Sequence, residues 1–443
     1  VSRNIDWTEL EEGAVFDVPN PGGSWGDHLR IWQPVGTLYT LKQGEIFNLA
    51  NLSSPLTLHP ANPNYRWKGY SVRQQVRVYD QAEVPQDRYI MSVSQRINSC
   101  TGSDPEIFVV RGKVHKSLLP AFKYLPKQEE QQKKYSHIKP SFGSIDSRLT
   151  AYSYRDGFAA ECYIHPVHCH GYLINYLRDG LNSVIKAARA FDRTAQLTVK
   201  NTFTIPAITM NSAADEDIAL GCMPSLNAYG DNPELPVAAR DFRLRFAGGH
   251  VHFGIAPLND EDAAEMVRAC DVIAAIPAVA MFASLDTPVR RQFYGRAGEY
   301  RKPKHGLEYR VLSNAWLAAP EVAHLVLNLV RSGLKVGKAG YRSHLDIDEQ
   351  AARDIVNFCD VKAAREYVTK HMSMFYTLLA NDGVTRDANS ERAFKMIVEG
   401  GIEAVLPNFE DVERNWVLEG PWSGESNGMS ATWRALCRRL PTK

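Results

Sequence analysis

The run Tyr300 to Leu317, YRKPKHGLEYRVLSNAWL, constrains the fold more than any other stretch of this chain. Its middle, Gly306 to Ser313, has the alternation of a β-strand. Leu307, Tyr309 and Val311 fall on one face, and Glu308 and Arg310 on the other. The apolar face demands a core behind it. The polar face sets a carboxylate and a guanidinium two residues apart, and both are costly to bury without partners. The acid can hold a cation and the arginine an anion. Arg296, Arg301, Lys302 and Lys304 approach the same strand. A metal-bound polyphosphate would satisfy all of them, and so would an exposed, salt-bridged strand beside a basic loop.

Three other segments pair an apolar face with isolated acids or histidines. In SDPEIFVV the Asp104-Pro105 turn leads into a strand with Glu106 at its entrance. In YRDGFAAECYI the Asp156-Gly157 turn opens a strand on which Glu161 stands opposite the face of Phe158, Ala160, Cys162 and Ile164. In RLRFAGGHVHFGI, His250 and His252 share one face while Val251, Phe253 and Ile255 face a core, and Gly248-Gly249 lets another group approach the backbone. If these strands lie in one sheet, Glu106, Glu161, His250, His252, Glu308 and Arg310 converge. Carboxylates with an imidazole suit Mg²⁺ or Mn²⁺ rather than a soft, zinc-only site. No Walker-type phosphate loop or kinase glycine-rich loop is present, so a nucleotide would be held by other means.

With 443 residues the chain can bury a large core and form more than one domain. The 51 basic and 50 acidic residues leave a formal charge of +1, which does not argue for a nucleic-acid or membrane partner, and no specific nucleic-acid or membrane partner is expected. No apolar run is long enough to span a bilayer, and the opening residues carry no signal-peptide pattern. Seven scattered cysteines without a C-x-x-C pair fit reduced thiols in a cytoplasm.

Residues 1–98 read as a β-rich region, with strands expected within Gly36 to Leu49 and Gly69 to Tyr79 and with Trp25, Trp32 and Trp67 packed inside it. Lys127 to Lys139 reads as a solvated surface loop or a lid. His165 to His170, HPVHCH, offers three histidines and a cysteine. Its spacing matches no zinc pattern, so a polar loop capping the next helix is expected. That helix runs from Tyr172 to Phe191, and one strand follows from Leu197 to Ile205. A further helix, from Asp260 to Met281, starts at Asn259 and is kinked or ended by Pro277. Arg290 to Arg301 reads as a basic loop. A helix follows Pro320 to about Val330. Residues 336–443 are mostly helical, at Ala351 to Phe358, Val361 to Leu379 and Asn389 to Ile397.

Taken in order, DPEIFVV, DGFAAECYI, GGHVHFG and YRKPKHGLEYRVLSNAWL resemble the carboxylate-amine (COOH-NH2) ligases of type 2, phage-encoded amidoligases of the glutamine synthetase-like fold. The resemblance covers about Cys100 to Lys335. It implies an α+β fold: an antiparallel sheet with a polar site face and helices behind it over residues 99–335, the β-rich and helical regions lying on either side. It implies metal ligation by Glu106, Glu161, His250 and Glu308. ATP contacts fall to His250, His252 and Arg310, and stabilisation of the transferred phosphoryl group to Arg296, Arg301 and Arg310. One departure stands out. Where the family's loop after Gly221-Cys222 often carries an acid, this chain has Met223, Pro224 and Ser225.

The implied reaction is ATP- and Mg²⁺-dependent amide synthesis through an acyl phosphate, with small-molecule or peptide carboxylates and amines as partners, in the cytoplasm of a host. Two alternatives stand beside it. One is an inactive structural or virion-associated phage protein that keeps the fold, which the Met223 loop favours; the other is a phosphotransferase that forms no amide.

Overall fold

The computed structural model describes residues 2–6, 38–42, 100–112, 116–135, 151–167, 170–219, 225–230, 239–255, 258–340, 342–381 and 388–418. Two compact units are distinguished. In the first, β1 (Ser2–Asp6) pairs antiparallel with β2 (Leu38–Lys42). The strand expected at Gly69 to Tyr79 and the three tryptophans lie outside the described residues.

The second unit is α+β. Its strands are β3 (Cys100–Ser103), β4 (Glu106–Arg111), β5 (Ser117–Leu119), β6 (Ala151–Asp156), β7 (Ala159–Val167), β8 (Gln196–Thr198), β9 (Thr202–Thr204), β10 (Leu226–Asn227), β11 (Leu244–Phe246), β12 (Val251–Gly254), β13 (Glu299–Arg301) and β14 (Gly306–Tyr309). Ten of them form one mostly antiparallel sheet in the order β10-β13-β14-β12-β3-β7-β4-β5, with β6 added to β7 and β8 to β4. β9 and β11 pair separately.

Alternation decides which side chains go where. Val251 and Phe253 of β12 and Leu307 and Tyr309 of β14 are fully buried. They face helices behind the sheet: Tyr309 Oη reaches Asp271, which sits in a π-helical segment, Asp271–Ala275. This segment joins the helix Asp260–Cys270 to Ile276–Met281. Asn259 caps the first helix as expected, its side chain accepting from Asp262 N. Pro277 does not end the helical run. A proline removes one backbone donor and its ring crowds the carbonyl four residues earlier, and the wider π turn just before it accommodates both. The helix Pro320–Lys338 packs on Asp260–Cys270 so closely that a Cβ at Gly337 would lie 2.5 Å from Met266 Cα. This helix runs past both Val330 and residue 335. Behind it, Glu349–Asn357, Val361–Lys370 and Ala388–Gly400 pack on Ile276–Met281, so the C-terminal helices share the same compact unit.

Several segments differ from the sequence expectation. Gln128–Tyr135 is a helix, with Glu129 and Glu130 in its first turn and Lys133 and Lys134 in its last, which complements the helix dipole. It is clamped to β6 by Gln131 Nε2 donating to Ser153 O at 2.8 Å and by Gln128 Nε2 donating to Tyr154 Oη at 3.0 Å. Residues 136–139 lie outside the described ones. Arg290 and Arg291 sit in a short helix, Pro288–Phe293, and are fully buried rather than on a basic loop. Leu197 to Ile205 divides into β8 and β9. Val361 to Leu379 breaks at His371 into two helices. The HPVHCH segment begins inside β7 with His165 buried; His168, Cys169 and the side chain of His170 lie outside the described residues.

Candidate functional site

Directly opposed residues of an antiparallel pair project from one face. Arg301 of β13 opposes Glu308 of β14, and Glu308 opposes His252 of β12. Tyr154 of β6 opposes Glu161 of β7, and Glu161 opposes Glu106 of β4. Two polar rows are thereby laid on the sheet by register alone. Between β12 and β7 runs β3, and Asp104 follows directly at its end, where the turn leads on into β4.

Asp104 sits against the histidines of β12. Its Oδ1 lies 2.7 Å from His252 Nε2 and 3.7 Å from His250 Nδ1. Glu308 Oε1 is also 3.7 Å from His250 Nδ1, and it is ion-paired with Arg310 and lies 3.8 Å from Arg301. Asp104, His252 and Glu308 each offer a ligand atom, and those atoms all lie within 4.8 Å of one another. His252 Nδ1 is 3.1 Å from His305 Nε2, which leads from the site to an exposed imidazole.

A second network lies beneath. The Tyr294 hydroxyl donates to Glu106 Oε1 at 2.8 Å and lies 2.7 Å from His250 Nε2. Glu106 Oε2 accepts from Gly248 N at 2.6 Å. The guanidinium of Arg310 stacks 5.7 Å from the centroid of the same Tyr294 ring. Tyr154 Oη donates to Glu161 at 2.5 Å.

The charges strain against one another. Burial raises the Glu161 carboxyl well above the usual range, and the neighbouring charges of Asp104, Asp156 and Glu106 raise it further. Burial and Asp156 push Glu106 up to about 7 despite its bonds from Gly248 and Tyr294. Asp156 is raised by burial against the pull of Arg310 and Arg301. Burial would raise Asp104 as well, but the charge and hydrogen bond of His252, with His250 and Arg310, hold it below the carboxylate range. Burial and Arg310 keep His250 neutral, far below its ordinary value. Burial alone would lower His252, yet Asp104 raises it. Buried carboxylates that repel one another are relieved by cations. Oxygen and imidazole donors fit Mg²⁺ or Mn²⁺, and guanidinium groups beside them fit phosphate.

Seven residues singled out from the sequence therefore sit in one neighbourhood: Glu106, Glu161, His250, His252, Arg301, Glu308 and Arg310. Arg296 is half-buried, and among the described residues no hydrogen bond or ion pair joins its side chain to them. Lys302 pairs instead with Asp260 at 2.5 Å. Asp104, Asp156, Tyr154 and Tyr294 were missed. Both aspartates stand in turn dipeptides, Asp-Pro and Asp-Gly, and read as turn-formers. The signal for Asp104 was its place two residues before Glu106, the same spacing as His250 to His252. Ser225 begins a described segment, but Met223 and Pro224 lie outside the described residues, so the substituted loop has no structural account.

Residues 237–381 match the model of the family described as phage phiEco32-like COOH.NH2 ligase-type 2. A comparison with curated proteins found no match. His250, His252, Tyr294, Arg301, Glu308 and Arg310 fall inside the matched segment; Asp104, Glu106, Asp156 and Glu161 precede it. Among the described residues no helix is long and apolar enough to cross a membrane.

Proposed function

From the match of residues 237–381 to the COOH-NH2 ligase type 2 family model, we propose that this chain is an ATP- and Mg²⁺-dependent amidoligase of glutamine synthetase-like fold, acting on a small-molecule or peptide carboxylate and an amine. The observation that carries the reading is Glu308. It stands between Arg301 and His252 in register, beside Arg310 and within 4.8 Å of Asp104 and His252 ligand atoms.

In this reading Asp104, His250, His252 and Glu308 hold one divalent cation, and Glu106 and Glu161 serve a cation on the neighbouring row. The bound cation supplies neutralisation of polyphosphate charge. Arg310 and Arg301 orient the γ-phosphate and stabilise the charge that develops on it, with Arg296 a more distant contributor. A substrate carboxylate oxygen bonds to the γ-phosphorus as its bond to the β-phosphate oxygen breaks, releasing ADP. The amine then bonds to the acyl carbon, phosphate departs and the amine loses a proton. No covalent enzyme nucleophile is required. Positioning and fixed charge do the work, and the buried floor at Glu106 and Tyr294 keeps water from the acyl phosphate.

Mass spectrometry of cellular carboxylates, amines and peptides incubated with the chain, ATP and Mg²⁺ tests this reading. Condensation products lacking one water, formed with ADP and abolished by Glu308→Ala, are the expected result. Phosphorylated products without condensation would replace the ligase with a phosphotransferase, and undiminished condensation by Glu308→Ala would remove the site.

A further inference from the structure

Tyr294 lies outside every motif that pointed to this site, yet its hydroxyl occupies the middle of a three-membered chain. It has one proton and two neighbours, Glu106 Oε1 at 2.8 Å and His250 Nε2 at 2.7 Å. Glu106 Oε2 is already engaged, accepting from Gly248 N at 2.6 Å. With Glu106 as a carboxylate, the tyrosine proton goes to Glu106 Oε1. His250 Nε2 can then bond to the tyrosine oxygen only by donating, which places the single imidazole proton on Nε2 and leaves a lone pair on Nδ1. Nδ1 lies 3.7 Å from Asp104 Oδ1 and 3.7 Å from Glu308 Oε1. Asp104 Oδ1 is paired with His252 Nε2 and Glu308 Oε1 with Arg310, but no hydrogen lies between either oxygen and Nδ1. A cation among them resolves the arrangement.

We propose that Tyr294 is a positioning residue: by accepting from His250 Nε2 it fixes the imidazole tautomer that offers Nδ1, with Asp104 and Glu308, to a divalent cation. The inference rests on the cation site proposed above. Histidine ligands are commonly held this way by a partner on the opposite ring nitrogen. Here the partner is a phenol, itself oriented by a carboxylate. The geometry is built rather than incidental. His250 and Tyr294 meet edge to face with ring centroids 5.6 Å apart. A Cβ at Gly248 would lie 2.4 Å from His250 Nε2 and 2.9 Å from Tyr294 Oη, so glycine is what lets the two meet.

The chain of donors makes a directional test. In Glu106→Gln the amide oxygen must accept from Gly248 N, so the amide NH₂ faces Tyr294. The tyrosine then accepts from Gln and donates to His250 Nε2, which moves the imidazole proton to Nδ1. Long-range ¹H–¹⁵N NMR of the full-length chain reads the His250 tautomer, and titration with Mn²⁺ alone reads the site. The expected results are an Nε2–H imidazole in the unaltered chain and an Nδ1–H imidazole in Glu106→Gln. Mn²⁺ affinity falls about 10- to 100-fold in Tyr294→Phe, the range for loss of such a partner. An Nδ1–H imidazole in the unaltered chain, or Tyr294→Phe binding Mn²⁺ as tightly as the parent, overturns the proposal. If the unaltered chain binds no Mn²⁺, the cation site itself fails, and the proposal falls with it.

Discussion

Glu106 and Gly248 hold each other by two hydrogen bonds: the Glu106 amide donates to the Gly248 carbonyl at 2.9 Å, and the Gly248 amide donates to Glu106 Oε2 at 2.6 Å. The pair joins the entrance of β4 to the segment before β12, so the two polar rows are fixed relative to each other by main chain as well as by charge.

Gly248→Ala puts a methyl group 2.4 Å from His250 Nε2, on a side chain that is 3 % exposed and cannot swing away. The strain is expected to cost about 1–3 kcal/mol of stability, read by urea unfolding. The larger expected effect is on the site, with Mn²⁺ affinity reduced at least about 10-fold. Unchanged affinity in a folded variant would mean that the His250–Tyr294 contact is not what shapes the site.

Asp271 predicts a pH dependence of stability. It is fully buried and accepts from Tyr309 at 2.7 Å and from Tyr229 at 3.0 Å, and burial pushes its carboxyl up from 3.8 to about 7. Below the unfolded value both states carry the proton, and the residue costs nothing. Between the unfolded and folded values only the native state keeps it, so stability falls as pH rises through that window, by about 1.4 kcal/mol per pH unit at most. Above about 7 the loss is complete and the contribution is flat. Asp271→Asn removes the titration, so the stability of the variant minus that of the parent should grow from pH 4 to pH 7 and then level off. A difference constant across that range would contradict the assignment.

Two buried guanidinium groups brace the strand end behind Arg310. Arg290 Nη2 donates to Leu312 O at 2.9 Å, and Arg291 donates to Val311 O and pairs with Asp286. Asp286 is 7 % exposed and also accepts from Asn201 at 3.2 Å. Asp286→Ala leaves both cations without that counter-charge, which is expected to destabilise the fold by about 3–5 kcal/mol. A loss below about 1 kcal/mol in urea unfolding would show that carbonyl contacts alone satisfy them.

Arg310→Lys keeps the charge and loses the planar fork. The guanidinium is paired with Glu308 and stacked on Tyr294 at 5.7 Å, contacts a lysine ammonium cannot make together. Loss of one charged hydrogen bond of about 1.5–3 kcal/mol corresponds to about a 10- to 150-fold fall in ligase turnover. Full activity would reduce Arg310 to a salt-bridge residue.

Alternation made much of this site legible. Glu161, His250, His252 and Glu308 each stand out because an apolar face leaves them on the other side of a strand, Glu106 because it stands at a strand's entrance, and they needed only a shared sheet to meet. What alternation could not carry was order. Nothing local says that β12 lies beside β14 and β3, or that Tyr294, directly after a short helix in a segment read as a basic loop, would reach His250. Asp104 and Asp156 were hidden by dipeptides that signal turns equally well without a catalytic role. Arg290 and Arg291 read as part of a basic loop for the converse reason: charge in sequence does not reveal that the carbonyls of Val311 and Leu312 consume it. The helix Gln128–Tyr135 was masked by its polarity, since it packs through side-chain amides rather than an apolar stripe.

The central claim is that Asp104, His250, His252 and Glu308 form a divalent-cation centre, and Mn²⁺ binding followed by electron paramagnetic resonance tests it without needing a substrate. Glu308→Gln keeps the shape of the side chain and removes its charge. The account predicts saturable binding by the full-length chain and at least about a 100-fold weaker affinity in Glu308→Gln, about 2.7 kcal/mol. Equal affinity in the two proteins, or no binding by either, would contradict it.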